Sequence, residues 1–152
     1  MAAALFKRPA ARSSRDAGSS ERGADGERRA EAFLQAQGLT SITRNVRYRF
    51  GEIDLLMQDG DALAFVEVRY RAGHGFGDGA DSVDRRKQQR LAKAASAWLA
   101  ANPRWQRAPC RFDVVALGGN PDNPDIDWIR NAFTLDELTR ATPITSARQV
   151  SD

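Results

Sequence analysis

Cysteine, histidine and long apolar runs are all scarce in this chain. A single cysteine, Cys110, among 152 residues excludes an internal disulfide, and a single histidine, His74, leaves no zinc-ligand spacing to draw. No run approaches the roughly 18 apolar residues that span a bilayer, and the N-terminus lacks the apolar core of a secretory signal. Neither a membrane span nor secretion is therefore expected, and a reducing cytoplasm suits the cysteine usage. Charge of one sign is also in short supply: 23 Lys and Arg stand against 20 Asp and Glu, for a net charge of +3. Any nucleic-acid argument must then rest on where the charges sit, not on their sum. What is present, 41% hydrophobic and 28% charged residues, is an ordinary globular composition at the length of one domain.

Residues 1–22 are rich in Ala, Arg, Ser and Gly without apolar periodicity and predict a disordered tail. Their Arg-rich start resembles an organellar transit peptide, against which stand Asp16 and Glu21. The domain is expected over 23–139, with a loose tail over 140–152. Ala30, Phe33, Leu34 and Gln37 recur at helical spacing and Gly38 follows as a stop, which predicts a helix over 22–37. Ile42, Val46, Tyr48 and Phe50 then alternate with Arg44, Arg47 and Arg49, the pattern of a strand with a basic side. Leu91, Ala94, Ala95, Trp98 and Leu99 form the stripe of a second helix that Pro103 ends. RFDVVAL, from Arg111 to Leu117, and IDWIRNAF supply two further strands. The order α-β-β-β-α-β-β implies a mixed sheet with helices packed on it.

Between the first strand and the second helix lies FGEIDLLMQDGDALAFVEVRYR, Phe50 to Arg71. It carries acids inside apolar runs. Taking Asp59-Gly60 as a tight turn pairs Leu55 with Ala64 and Ile53 with Val66, and puts Glu67 opposite Glu52. Strand alternation then places Glu52, Asp54, Phe65, Glu67 and Arg69 on one face and a wholly apolar set on the other. Like charges facing each other across a sheet destabilise it, so something must compensate. One answer is a solvated face neutralised by Arg49, Arg69 and Arg71. The other is Mg²⁺ (or Mn²⁺), which takes one or two carboxylates plus a substrate phosphate. Leu56, Leu63 and Phe65 on the same face imply that it is partly covered, which favours a site.

The motifs GERRAEAFL, GEIDLL, FVEVRYR, KQQRLAKAASAWL and RFDVVAL, in this order over about Gly26 to Leu117, resemble the YraN-type family of small bacterial proteins. That family is similar to archaeal Holliday junction resolvases in the PD-(D/E)XK nuclease superfamily. The resemblance implies an α/β fold, a single-domain restriction-endonuclease-like mixed β-sheet flanked by helices. It also implies metal ligands at Asp54, Glu67 and Glu27, and a catalytic set of Asp54, Glu67 and Arg69. Two departures stand out: Ile53 replaces the Pro of the signature, and Arg69 stands where the superfamily has Lys. Arginine stays protonated at any working pH and cannot act as a base.

Lys87 on the second helix is a candidate for the missing ammonium. Arg71, Arg85, Arg86, Lys87 and Arg90 are the candidate nucleic-acid contacts, and Trp105 and Trp128 are weighed as base-stacking or packing residues. The expected function is a Mg²⁺-dependent endonuclease on structured or branched DNA, ahead of RNA, with a homodimer allowed and no membrane partner. The alternative is a non-catalytic nucleic-acid-binding or protein-interaction domain on the same fold.

Overall fold

The computed structural model of the chain describes residues 14–71 and 85–135. The glycine-rich segment with His74 and the tail expected over 140–152 lie outside these residues. Helix α1 (Ser14–Ala36) is followed by strands β1 (Thr40–Tyr48), β2 (Gly51–Asp59) and β3 (Ala62–Tyr70). Helix α2 (Arg85–Ala101), a short 3₁₀ turn at Pro103–Trp105, and strands β4 (Cys110–Asn120) and β5 (Asn123–Phe133) complete the order. The α/β architecture matches the expectation. α1 starts eight residues earlier than predicted, within the stretch expected to be a tail.

The five strands form one sheet in chain order, β1-β2-β3-β4-β5. All neighbours are antiparallel except β3 and β4, which run parallel and are joined through α2. Each face carries one helix. On the α1 side, Ala30 and Leu34 bury Leu55, Met57, Ala64, Val66, Val115 and Leu117. On the α2 side, Leu91, Ala94, Ala95 and Trp98 cover Ile53, Leu56, Leu63, Phe65 and Phe112. A sheet buried on both faces explains why the hairpin strands read as nearly continuous apolar runs.

Glycine sets two of the junctions. Gly38, at φ +99°, ends α1 with the paired bonds of a Schellman motif: Leu39 N–H donates to the Leu34 carbonyl at 3.1 Å and Gly38 N–H to that of Gln35 at 3.0 Å. Gly51 lies so close to α2 that an added Cβ would overlap the Arg90 carbonyl oxygen. The helix therefore rests directly on the start of β2. Ser41 and Arg44 tie β1 to α1 through Glu31, at 2.7 and 3.0 Å.

The hairpin register differs from the expectation. Asp59 pairs with Ala62 and Leu55 with Val66, so the loop is Gly60-Asp61. Gly60 takes φ +60° while Asp61 stays in the ordinary negative region, the sign pattern of a type II′ turn, which needs glycine at its first position. The shift preserves parity along β3. It moves Glu67 from the level of Glu52 to that of Asp54.

Candidate functional site

The ladder between β2 and β3 stops at Leu55 and Val66, although both strands continue. Beyond that point β2 stays paired with β1, through Ile53–Val46, Glu52–Arg47 and Gly51–Tyr48. β3 stays paired with β4, from Glu67–Val114 to Tyr70–Leu117. The sheet thus forks. At the fork the Asp54 carboxylate does what a strand carbonyl would otherwise do: its Oδ2 accepts the Val68 N–H at 2.8 Å. Simple alternation fails here, because Ile53 joins the α2-side core together with Leu56 instead of the opposite face.

A pocket of about 290 Å³ opens in this fork, with Glu27 of α1, Asp54 of β2 and Glu67 and Arg69 of β3 in its walls. α2 contributes Lys87, Arg90 and Leu91, while Glu52 and Tyr70 complete the rim. Gly26 makes the α1 wall possible. Its missing Cβ leaves room for the Tyr70 ring, whose hydroxyl donates to the Arg22 carbonyl at 3.2 Å and pins the helix over β3.

The electrostatics are those of crowded, half-covered acids. Burial pushes Asp54 from its ordinary 3.8 to about 7, against the Val68 N–H bond, with Glu27, Glu52 and Glu67 adding repulsion. Burial also raises Glu67, opposed by Lys87 and Arg69 and assisted by Glu52. Glu27 is raised by burial and held down by a hydrogen bond from Asn45. Glu67 Oε2 is buried with no hydrogen-bond partner among the described residues. Two half-buried carboxylates, one with an unsatisfied oxygen, fit a hard cation that takes one or two protein carboxylates and fills its shell with water and phosphate. The fit is to an open pair. Among the described residues no three acids gather closely enough to form a ligand cage, and Glu27 is engaged by Asn45.

Over residues 26–117 the sequence matches the group described as "Uncharacterised protein family UPF0102". The chain belongs to the UPF0102 family. A UPF0102 protein of Halorhodospira halophila is 52% identical over 113 residues, covering 74% of this chain and 87% of the relative. Another, from Xanthomonas campestris pv. campestris, is 51% identical over 117 residues, or 77% and 94% of the two chains. A third, from Pseudomonas putida, is 51% identical over 108 residues, or 70% and 88%. The matched region of this UPF0102 chain runs from Gly26, under the Tyr70 ring, to Leu117 at the end of the β3–β4 ladder. It contains every lining residue of the fork except Gly23.

Of the candidates read from the sequence, Asp54, Glu67, Arg69, Glu27, Lys87 and Arg90 share this pocket. Arg85 and Arg86 are exposed on the first turn of α2, outside the pocket walls. Arg71 does not join them: its side chain is only 16% exposed, lies against Gly118 and faces Asp127 of β5 at 3.8 Å. The basic side expected of β1 is partly neutralised, Arg44 by Glu31 at 3.0 Å and Arg47 by Glu52 at 3.8 Å. Trp128 packs edge-on against Phe33 and Trp105 against the α2-side core, so both belong to packing.

One acid escaped the sequence reading. Asp113 is fully buried and accepts hydrogen bonds from Arg111 Nε, Trp128 Nε1 and the Asn131 backbone N–H, all within 3.1 Å. The signal was the one used for Asp54, a lone carboxylate in an apolar strand. Arg111 is its neighbour on β4, but Trp128 and Asn131 arrive only with β5, where the register slips around Asn131.

No helix is long and apolar enough to cross a membrane among the described residues.

Proposed function

We propose that the chain is a nucleic-acid-binding protein and a Mg²⁺-dependent endonuclease acting on structured or branched DNA. The observation that carries this reading is the fork, where Asp54 and Glu67 converge in a half-covered pocket walled on one side by the cations of α2. A catalytic set that only packed would leave no reason for an unsatisfied Glu67 oxygen beside a carboxyl raised to about 7.

Asp54 and Glu67 are the residues that would hold the ion. Bound there, Mg²⁺ supplies Lewis acidity and an acidified water for attack on phosphorus. The Val68 N–H holds the Asp54 carboxylate against β3, beside Glu67 and Arg69. Arg69, beside Glu67, stabilises negative charge gathering on the phosphate but accepts no proton. Lys87, whose charge already acts on Glu67, offers an ammonium from the helix side. Arg85, Arg86 and Arg90 neutralise flanking phosphates, the term that dominates affinity for nucleic acid.

A non-catalytic nucleic-acid-binding module on the same fold is the second reading, and Arg69 in the position of the signature Lys favours it. The deciding assay is nicking of labelled branched, duplex and single-stranded DNA with Mg²⁺ or Mn²⁺. The enzyme reading expects Asp54→Asn and Glu67→Gln to abolish cutting while largely sparing affinity, and Arg69→Lys to keep or raise it. Equal cutting by wild type and Asp54→Asn, or none by either with every metal, refutes it.

A further inference from the structure

β1 and β2 are joined by a two-residue turn, Arg49 and Phe50, that holds an aromatic ring in water. Phe50 is 44% exposed even though it is stacked on Tyr48, with ring centroids 5.3 Å apart and planes within 5°. Tyr48 is half-buried and packs on the α2-side core, so the inner ring of the stack is anchored. The large apolar side chains exposed among the described residues are Phe50, Tyr70 and Leu135. Two of these three stand at the forked end of the sheet. Tyr70 is on the rim of the pocket, and Gly51, directly after Phe50, abuts α2 at Arg90, another pocket residue. Arg47 and Arg49 are exposed on either side of Tyr48, Arg49 with no ion pair among the described residues and Arg47 in a solvent-exposed pair with Glu52 at 3.8 Å, which leaves the turn cationic on balance.

We propose that Tyr48 and Phe50 form a stacking platform for unpaired nucleobases, so that the preferred substrate presents a single-stranded segment at the mouth of the pocket. The inference rests on the nucleic-acid reading above and names the substrate feature that reading leaves open. An anchored, flat aromatic pair suits any base, because every base has a π-face, whereas bases within a duplex are already stacked on their neighbours. Arg47 and Arg49 then meet the phosphates on either side of the stacked base. The same two cations disfavour a second copy of this chain as the occupant, since pairing two such turns would bring like charges together.

The test is binding of labelled oligothymidylate and of a blunt duplex of equal length, with Ca²⁺ in place of Mg²⁺ so that affinity is read without cleavage. Phe50→Ala and Phe50→Leu should weaken binding of the single strand by roughly five- to a hundred-fold, the span of base–aromatic stacking per base. Duplex affinity should stay within about two-fold, since phosphate contacts carry it. Phe50→Trp should keep single-strand affinity and show emission quenched on binding, which covers the case in which the smaller side chains disturb the turn. Equal loss for both nucleic acids, or no loss for either, overturns the platform while leaving the nucleic-acid reading intact. Failure of the wild type to bind either one overturns both readings. A lower solution mass for Phe50→Ala assigns the ring to self-association and overturns the platform as well.

Discussion

Replacing Asp54 by Asn should stabilise the metal-free protein, and increasingly so as the pH rises. In the unfolded chain this carboxyl titrates at its ordinary 3.8, and in the fold burial with repulsion from Glu27, Glu52 and Glu67 raises it to about 7. The folded state therefore binds this proton more tightly than the unfolded state. Below pH 3.8 the group is protonated in both states and costs nothing. Above that the cost grows with pH and reaches its full value past about 7. At 1.36 kcal/mol per pH unit, the penalty is about 1.5 kcal/mol at pH 5 and about 4 kcal/mol at pH 8. Asn keeps the volume and an oxygen for the Val68 N–H but carries no charge. Any constant difference in hydrogen-bond strength cancels when the two pH values are compared. Urea titrations of wild type and Asp54→Asn in EDTA should therefore show the variant's advantage growing by about 2–3 kcal/mol between pH 5 and pH 8. A stability difference between the two proteins that stays constant with pH, or that shifts against the variant as the pH rises, would show that the acidic cluster is compensated in the fold and would refute the argument.

Three further outcomes follow from the packing and the charges. Gly51→Ala drives a Cβ into the Arg90 carbonyl and should cost about 2–3 kcal/mol in chemical denaturation, because backbone, not a flexible side chain, must give way. Asp113→Ala leaves Arg111, Trp128 Nε1 and the Asn131 N–H without their shared acceptor, and should lower stability by about 3–5 kcal/mol in the same assay. Reversing Arg85 and Arg86 to Glu should reduce the log–log slope of nucleic-acid affinity against salt by about 2, one counterion per lost phosphate contact. An unchanged slope would place the phosphates elsewhere.

Local signals made much of the fold legible in the chain. Gly38 marked the end of α1 because only a residue at ease with positive φ completes that cap. The Leu91–Trp98 stripe marked the buried face of α2. The N-terminal reach of α1 is not legible, since its first turns run through Ala, Ser, Gly and charged residues with no apolar stripe. The hairpin is legible in the sequence but its register is not, because Asp59-Gly60 and Gly60-Asp61 both have turn composition and only φ separates them. The convergence of Asp54 with Glu67 and Arg69 was visible as acids in apolar runs. The fork that produces it was not, since alternation assumes an unbroken ladder, and here a side chain replaces a backbone acceptor. Asp113 is hidden because two of its three partners, Trp128 and Asn131, lie on another strand, 15 and 18 residues away.

The two non-glycine residues with positive φ among the described residues, Asn45 at 53° and Asn131 at 50°, fall on β1 and β5, one on each edge of the sheet. Each interrupts the run of extended backbone that an incoming strand would need, and each is engaged by a carboxylate, Asn45 by Glu27 of α1 and Asn131 by Asp113 of β4. Ile42 adds a bulge to β1, and Asp125, Asp127 and Arg130 add charge along β5. Irregular, charged rims of this kind resist the edge-to-edge strand addition that leads to aggregation. The acids that shape the interior of this molecule thereby also protect its borders.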